Sequence, residues 1–170
     1  MKNIPVVPAI LLLLASLSNP ALAAPVNMSS VVPYADNAAI TTRVRNECVK
    51  IQGQLAEFTQ EYARSEGIDV ALVGSVSPSD AGRVLVMRID EAVSMGNAFI
   101  GHQKYTRISG ELYENGKRIA GFQGRRNSGG GAFGGFKGSC SVLGRTVKVL
   151  GRDVAQWLRS PFDNARLGDM

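Results

Sequence analysis

The chain has one histidine, His102, and only two cysteines, Cys48 and Cys140, among 170 residues. A single histidine rules out a histidine metal cluster. Cysteines this far apart in sequence are not the Cys-x-x-Cys pair of a thiol redox centre. Ser128 sits in Arg-Arg-Asn-Ser-Gly-Gly and lacks the first glycine of a nucleophile elbow. Lys137 is followed by Gly138, so there is no Walker loop. Gly129 to Gly134 formally matches Gly-x-Gly-x-x-Gly, but it follows a hairpin instead of opening a parallel strand–turn–helix unit with an acid about 20 residues on. Asp90 and Glu91 are neighbours in a strand-like run and should point to opposite faces, not act as a facing pair. Only a carboxylate carried in by the fold, such as Asp80 or Asp153, would complete a site with His102 or Ser128. These gaps nominate no catalytic residue, no metal and no cofactor, and the chain reads as a non-enzyme.

Long apolar runs are also scarce. The one that exists, Val6 to Leu17, follows Lys2 and precedes Pro20 and Ala21-Leu22-Ala23. Base, apolar stretch and small-residue cut site are the three parts of a secretory signal, with cleavage after Ala23. The rival reading is a membrane anchor, but the run is shorter than the roughly 20 residues a span needs. No cysteine follows the cut for lipid attachment. The sequence therefore divides into a signal peptide over 1–23, a flexible leader over 24–35, a single domain over 36–160 and a disordered tail over 161–170. The expected location is periplasmic or secreted, with no transmembrane span after cleavage.

Acid is missing from one stretch. Between Lys117 and Arg152 there are eight bases and no Asp or Glu. Residues 24–99 carry six bases and nine acids, whereas residues 100–170 carry twelve bases and five acids. Such asymmetry favours contact with something anionic; a solvated basic face is the plainer alternative.

The remaining pattern predicts α+β. Asp36 or Asn37 can cap a helix whose apolar residues, Ile40, Val44, Cys48, Ile51, Leu55, Phe58 and Tyr62, recur at steps of three and four up to Gly67. Val70–Val76 reads as a covered strand. Arg83–Met95 reads as a long strand that bends or emerges at Glu91. Asn115-Gly116 suits a type I′ hairpin turn, which pairs Glu114 with Lys117, Leu112 with Ile119, Gly110 with Gly121 and Ile108 with Gln123. From Ser139 to Leu158, Cys140, Leu143, Val147, Leu150, Val154 and Trp157 form an apolar helical stripe. Gly144 and Gly151 beside it let the helix approach the sheet. The expected fold is an antiparallel sheet of about four strands with an N-terminal and a C-terminal helix packed on one face.

Each cysteine lies on the apolar face of its own helix, in a chain bound for an oxidising compartment, which favours a Cys48–Cys140 disulfide over two separate buried thiols. The glycine-rich run from Gly124 to Cys140 is a strand-to-helix connector or an anion perch. Arg125, Arg126 and Lys137, interleaved with Phe133 and Phe136, are its candidate binding residues. Phe99, in the loop from Gly96 to Gly101, is a second candidate contact.

The run from Asn115 to Leu158, with its Gly-rich loop and Ser-Cys-Ser helix start, resembles the closing half of a family of exported α+β domains of Gram-negative bacteria. Arg45 to Phe58 resembles that family's opening helix, so the likeness spans about Asp36 to Pro161. The motifs carry no known activity. The element order is also similar to the N-terminal domain of TolB and to the curli-secretion channel lipoprotein, domains that serve envelope assembly through protein contacts. The chain departs from the second in having no lipid-attachment cysteine. The resemblance implies a non-catalytic module that contacts a cell-envelope protein. The basic half keeps open a polyanion or anionic-lipid binder, with lipopolysaccharide phosphate as one such target. An enzyme of unknown class is the third alternative, and nucleic acid is not an expected partner.

Overall fold

The computed structural model describes residues 24–97, 101–128 and 138–170. In chain order the elements are β1 (Val26–Ser29), β2 (Tyr34–Ile40), α1 (Thr42–Glu47), α2 (Ile51–Ser65), β3 (Val70–Val73), β4 (Arg83–Asn97), β5 (Gly101–Glu114), β6 (Lys117–Asn127), α3 (Ser139–Arg159) and β7 (Ala165–Gly168). This is a mixed α/β fold and not the antiparallel four-stranded sheet expected from sequence. Seven strands run in the order β3-β1-β4-β5-β6-β7, with β2 also paired to β4. The pairings β1–β3, β1–β4, β2–β4 and β6–β7 are parallel; β4–β5 and β5–β6 are antiparallel.

Three corrections come from short segments captured by the sheet. Residues 34–40 do not begin the first helix: they pair with β4, Tyr34 opposite Ile89 and Ile40 opposite Ala92. The helix starts later, where the Thr41 hydroxyl accepts from the Val44 N–H at 3.3 Å. It is also two helices, because the backbone turns at Cys48 before α2 begins at Ile51. Residues 26–29 of the expected leader form β1, inside the sheet between β3 and β4. Residues 165–168 of the expected tail form β7, with Ala165 buried opposite Phe122. Val70–Val76, read as a covered strand, is a strand only over Val70–Val73, and that is the sheet's end strand, with Val73 36% exposed.

The Asn115-Gly116 turn forms with positive φ at both residues, 49° and 81°. Asn115 also ties this turn to the preceding loop, since its side-chain oxygen accepts from the Gly82 N–H at 2.9 Å. The register beyond Glu114–Lys117 differs from expectation by one residue. A bulge leaves Ile119 outside the ladder and 41% exposed, so Leu112 faces Ala120, Gly110 faces Phe122 and Ile108 faces Gly124. Gly110 thus faces an aromatic ring, not another glycine. A side chain there would collide with the Phe122 ring, which meets Trp157 edge-on at 4.8 Å.

β4 bulges too, between Ile89 and Glu91. Leu85, Met87 and Ile89 enter the core, and after the bulge the parity changes so that Ala92 does. The three helices gather on this one face: α3 touches β4 to β7, α2 touches α3 and β3, and α1 touches α3 and β4. Cys48 and Cys140 are joined, with Cα atoms 5.0 Å apart across 92 residues. Gly144 and Gly151 face α2, not the sheet. A Cβ at Gly151 would lie 2.8 Å from Phe58 Cβ.

Candidate functional site

Successive residues of a strand point to opposite faces, and β5 shows what this does here. Thr106, Ile108, Gly110 and Leu112 are buried toward the helices, and the Thr106 hydroxyl meets the Thr146 hydroxyl of α3 at 2.7 Å. Tyr105, Arg107, Ser109, Glu111 and Tyr113 therefore project from the other face. The same alternation sends Arg88 of β4, Gln123 and Arg125 of β6, and Arg166 of β7 to that side. None of the described helices covers it.

The open face is charged, and its groups hold one another. The Tyr105 hydroxyl donates to Glu91 at 2.6 Å, and Arg107 pairs with the same carboxylate at 3.3 Å. Ser109 donates to Asp90 at 3.0 Å. Arg118 bridges Glu111 and Asp163, each at 2.7 Å, and Tyr113 donates to Glu111 at 2.8 Å. The Arg125 guanidinium lies 4.2 Å from the centre of the Tyr105 ring. Burial raises the Asp90 carboxyl above its ordinary value, against the opposing pull of Ser109, Arg107 and Arg88. Burial also acts upward on Glu111, but hydrogen bonds from Tyr113 and Arg118 outweigh it and the net shift is down.

Two hollows open on this face. The larger, about 450 Å³, is bordered by Arg88, Ser109, Glu111, Arg118, Gln123 and Arg166. The smaller, about 290 Å³, is bordered by Asn37, Asp90, Glu91, Arg107 and Ser109, with Gln123 at its rim between the two. Asp90 and Glu91 border one hollow, which corrects the expectation that they point to opposite faces: the β4 bulge sits between Ile89 and Glu91 and breaks the alternation.

The residues nominated from sequence separate. Arg125 stands on the open face and Arg126 on the helix face. There Arg126 grips both oxygens of Asp153, at 2.7 and 2.8 Å, and donates to Asp169 at 2.9 Å. Phe99, Phe133, Phe136 and Lys137 lie outside the described residues. Ser128 donates its backbone N–H to the Lys104 carbonyl at 2.7 Å. Asp80 accepts from the Ser77 N–H and so closes a turn, while Asp153 is held by Arg126. Among the described residues no group of three or more His, Cys, Asp and Glu is placed to hold a metal ion.

Sequence reasoning missed Arg88, Ser109, Gln123 and Arg166. Their signal was strand parity, but the Ile119 bulge shifts Gln123 from facing Ile108 to facing Ser109.

No family model and no curated protein matches the chain. Solved structures that it resembles include a PelC dodecamer from Paraburkholderia phytofirmans, a point variant, at 17% identity and a TM-score of 0.48, covering 78% of this chain and 89% of that one. A second PelC dodecamer from the same organism gives 15% identity and a TM-score of 0.46 over 75% and 86% of the two chains. A minor lipoprotein from Acinetobacter baumannii gives 8% and 0.41 over 78% and 91%. No described helix is long and apolar enough to cross a membrane.

Proposed function

We propose that the protein is an exported, non-catalytic binding module of the cell envelope, periplasmic or secreted after removal of residues 1–23, and that it meets a protein partner through the uncovered face of its sheet. One observation carries this reading. The helices are confined to one face and cross-linked there, while the other presents Tyr105, Tyr113, Arg88, Arg107, Arg125 and Arg166 on rigid strands. Tyrosine and arginine are the residues enriched where protein interfaces gain most of their affinity. Here the rings and several of the guanidinium groups are already held by their neighbours, so little ordering entropy is lost on contact.

The test is a crosslinked pull-down from envelope extract. A discrete partner should be retained by the wild type and lost with Tyr113→Ala combined with Arg125→Glu. Retention unchanged by that pair, or no discrete partner under several conditions, overturns the reading.

A second reading, contact with a polyanion, is favoured by α3. Arg145, Lys148 and Arg152 are exposed along its outer side, and its one acid, Asp153, is buried against Arg126. Because Arg126 already meets two carboxylates, this reading draws on α3 more than on the Gly-rich loop. Retention on an anionic matrix should fall steeply with salt and weaken when these three bases become Gln. Salt-independent retention would remove it.

A further inference from the structure

One rung of the sheet crosses four strands without leaving the open face. Arg88 of β4 faces Ser109 of β5, Ser109 faces Gln123 of β6, and Gln123 faces Arg166 of β7. All four border the 450 Å³ hollow. The two arginines end the row, with Cα atoms about 14 Å apart by three strand spacings of about 4.8 Å. Among the described residues, neither guanidinium makes a side-chain hydrogen bond or a close ion pair.

Arg118 forms the side of the hollow. Its guanidinium lies across Gly121, where a side chain would collide with it, and it is fixed between Glu111 and Asp163. The acids that face this space are Glu111 on its wall, Asp163 beside Arg118 and Asp90 one rung away. Arg88 feels Glu111 and Asp90 at longer range.

We propose that this groove binds a short acidic saccharide, its oxyanion groups taken by Arg88 and Arg166 and its hydroxyls by the groups between them. Guanidinium forks match carboxylate and phosphate oxygens in pairs. Gln123 and Asn164 each offer donors and an acceptor, Ser109 still has acceptor capacity beyond its bond to Asp90, and the Glu111 carboxylate accepts. A bare anion would use the ends of this row and leave its centre idle. An uncharged sugar would use the centre and leave two unpaired guanidinium groups facing it. The hollow lies within the size range of small-ligand sites, about 300–1,000 Å³. The inference goes beyond protein contact, since it needs the groove alone, and a saccharide titration and a partner pull-down succeed or fail separately.

Calorimetric titration of the exported protein with trigalacturonic acid, maltotriose and inorganic pyrophosphate tests it. Trigalacturonate should bind at least about tenfold more tightly than either of the others, about 1.4 kcal/mol. Arg88→Gln with Arg166→Gln should cost about tenfold or more, and Arg88→Lys should weaken binding severalfold by losing the paired geometry while keeping the charge. Arg43→Gln, on α1, should bind as the wild type does. A thermal melt checks that each variant is folded, and the lysine variant carries the test if the double variant is not. Pyrophosphate binding as tight as the trisaccharide, maltotriose binding as tight, affinity indifferent to both arginines, or no heat from the folded wild type at millimolar ligand would each overturn the proposal.

Discussion

Gly151 of α3 packs directly on the backbone of Thr59 in α2: a Cβ at Gly151 would lie 2.9 Å from the Thr59 nitrogen and 3.0 Å from the Phe58 carbonyl carbon. Backbone cannot step aside as a flexible side chain does. Gly151→Ala is therefore expected to destabilise by about 1–3 kcal/mol through overpacking, despite the roughly 1 kcal/mol alanine gains in helix propensity. Gly144→Ala should be neutral or stabilising by up to about 1 kcal/mol, because its nearest neighbour is the Gln54 side-chain oxygen at 3.4 Å. Denaturant melts of the two variants check this, and equal effects would contradict it.

Arg125 and Arg126 should separate in the same assay. Arg126→Gln leaves Asp153, only 8% exposed, without its partner. The cost of an orphaned buried charge is about 3–5 kcal/mol, here reduced by the partial exposure of Arg126 to about 2–3 kcal/mol. Arg125→Gln should change stability by less than about 0.5 kcal/mol.

The Asp169 carboxylate should titrate low. It is held down first by the Asn127 backbone N–H at 2.8 Å and also by Arg126, which together outweigh the upward effect of burial. A depressed folded value means that its contribution is present above the ordinary aspartate value of about 3.9 and is lost as pH falls through the lower folded value. The Asn127 amide resonance should therefore shift with a midpoint below that of an unperturbed aspartate. It should stop responding in Asp169→Asn. A midpoint at or above the ordinary value would show that the latch between β7 and β6 is absent in solution.

Reducing the Cys48–Cys140 bond, or replacing both residues with Ser, should lower stability by about 2–5 kcal/mol. Melts with and without reductant measure the difference, and none is expected in the Ser variant.

What was legible in the sequence was what local pattern determines. The stripe from Cys140 to Trp157 repeats long enough to specify α3 without help. Asn115-Gly116 carries its own backbone preference. Illegible features depended on distant neighbours. β1 and β7 are four residues each, too short to hold without the strands beside them. Residues 34–40 overlap the cap and first position of the expected helical stripe, and only pairing with β4 makes them a strand. The bulge at Ile119 has no local mark, and Glu91 marks a bend in β4 without fixing the register change beside it. Yet the two bulges decide which residues share the open face, which is why the row from Arg88 to Arg166 was not foreseen. The disulfide was legible because both helical stripes placed a cysteine on an inward side.

That bond also closes a covalent ring, from Cys48 through β3, β4, β5 and β6 to Cys140, with β1, β2 and β7 outside it. A protease that nicks the exposed turn at residues 77–81 would cut the ring once and release nothing. The two pieces would migrate as one band until reductant is added, so in an oxidising compartment this molecule tolerates a break that would dismantle a linear chain.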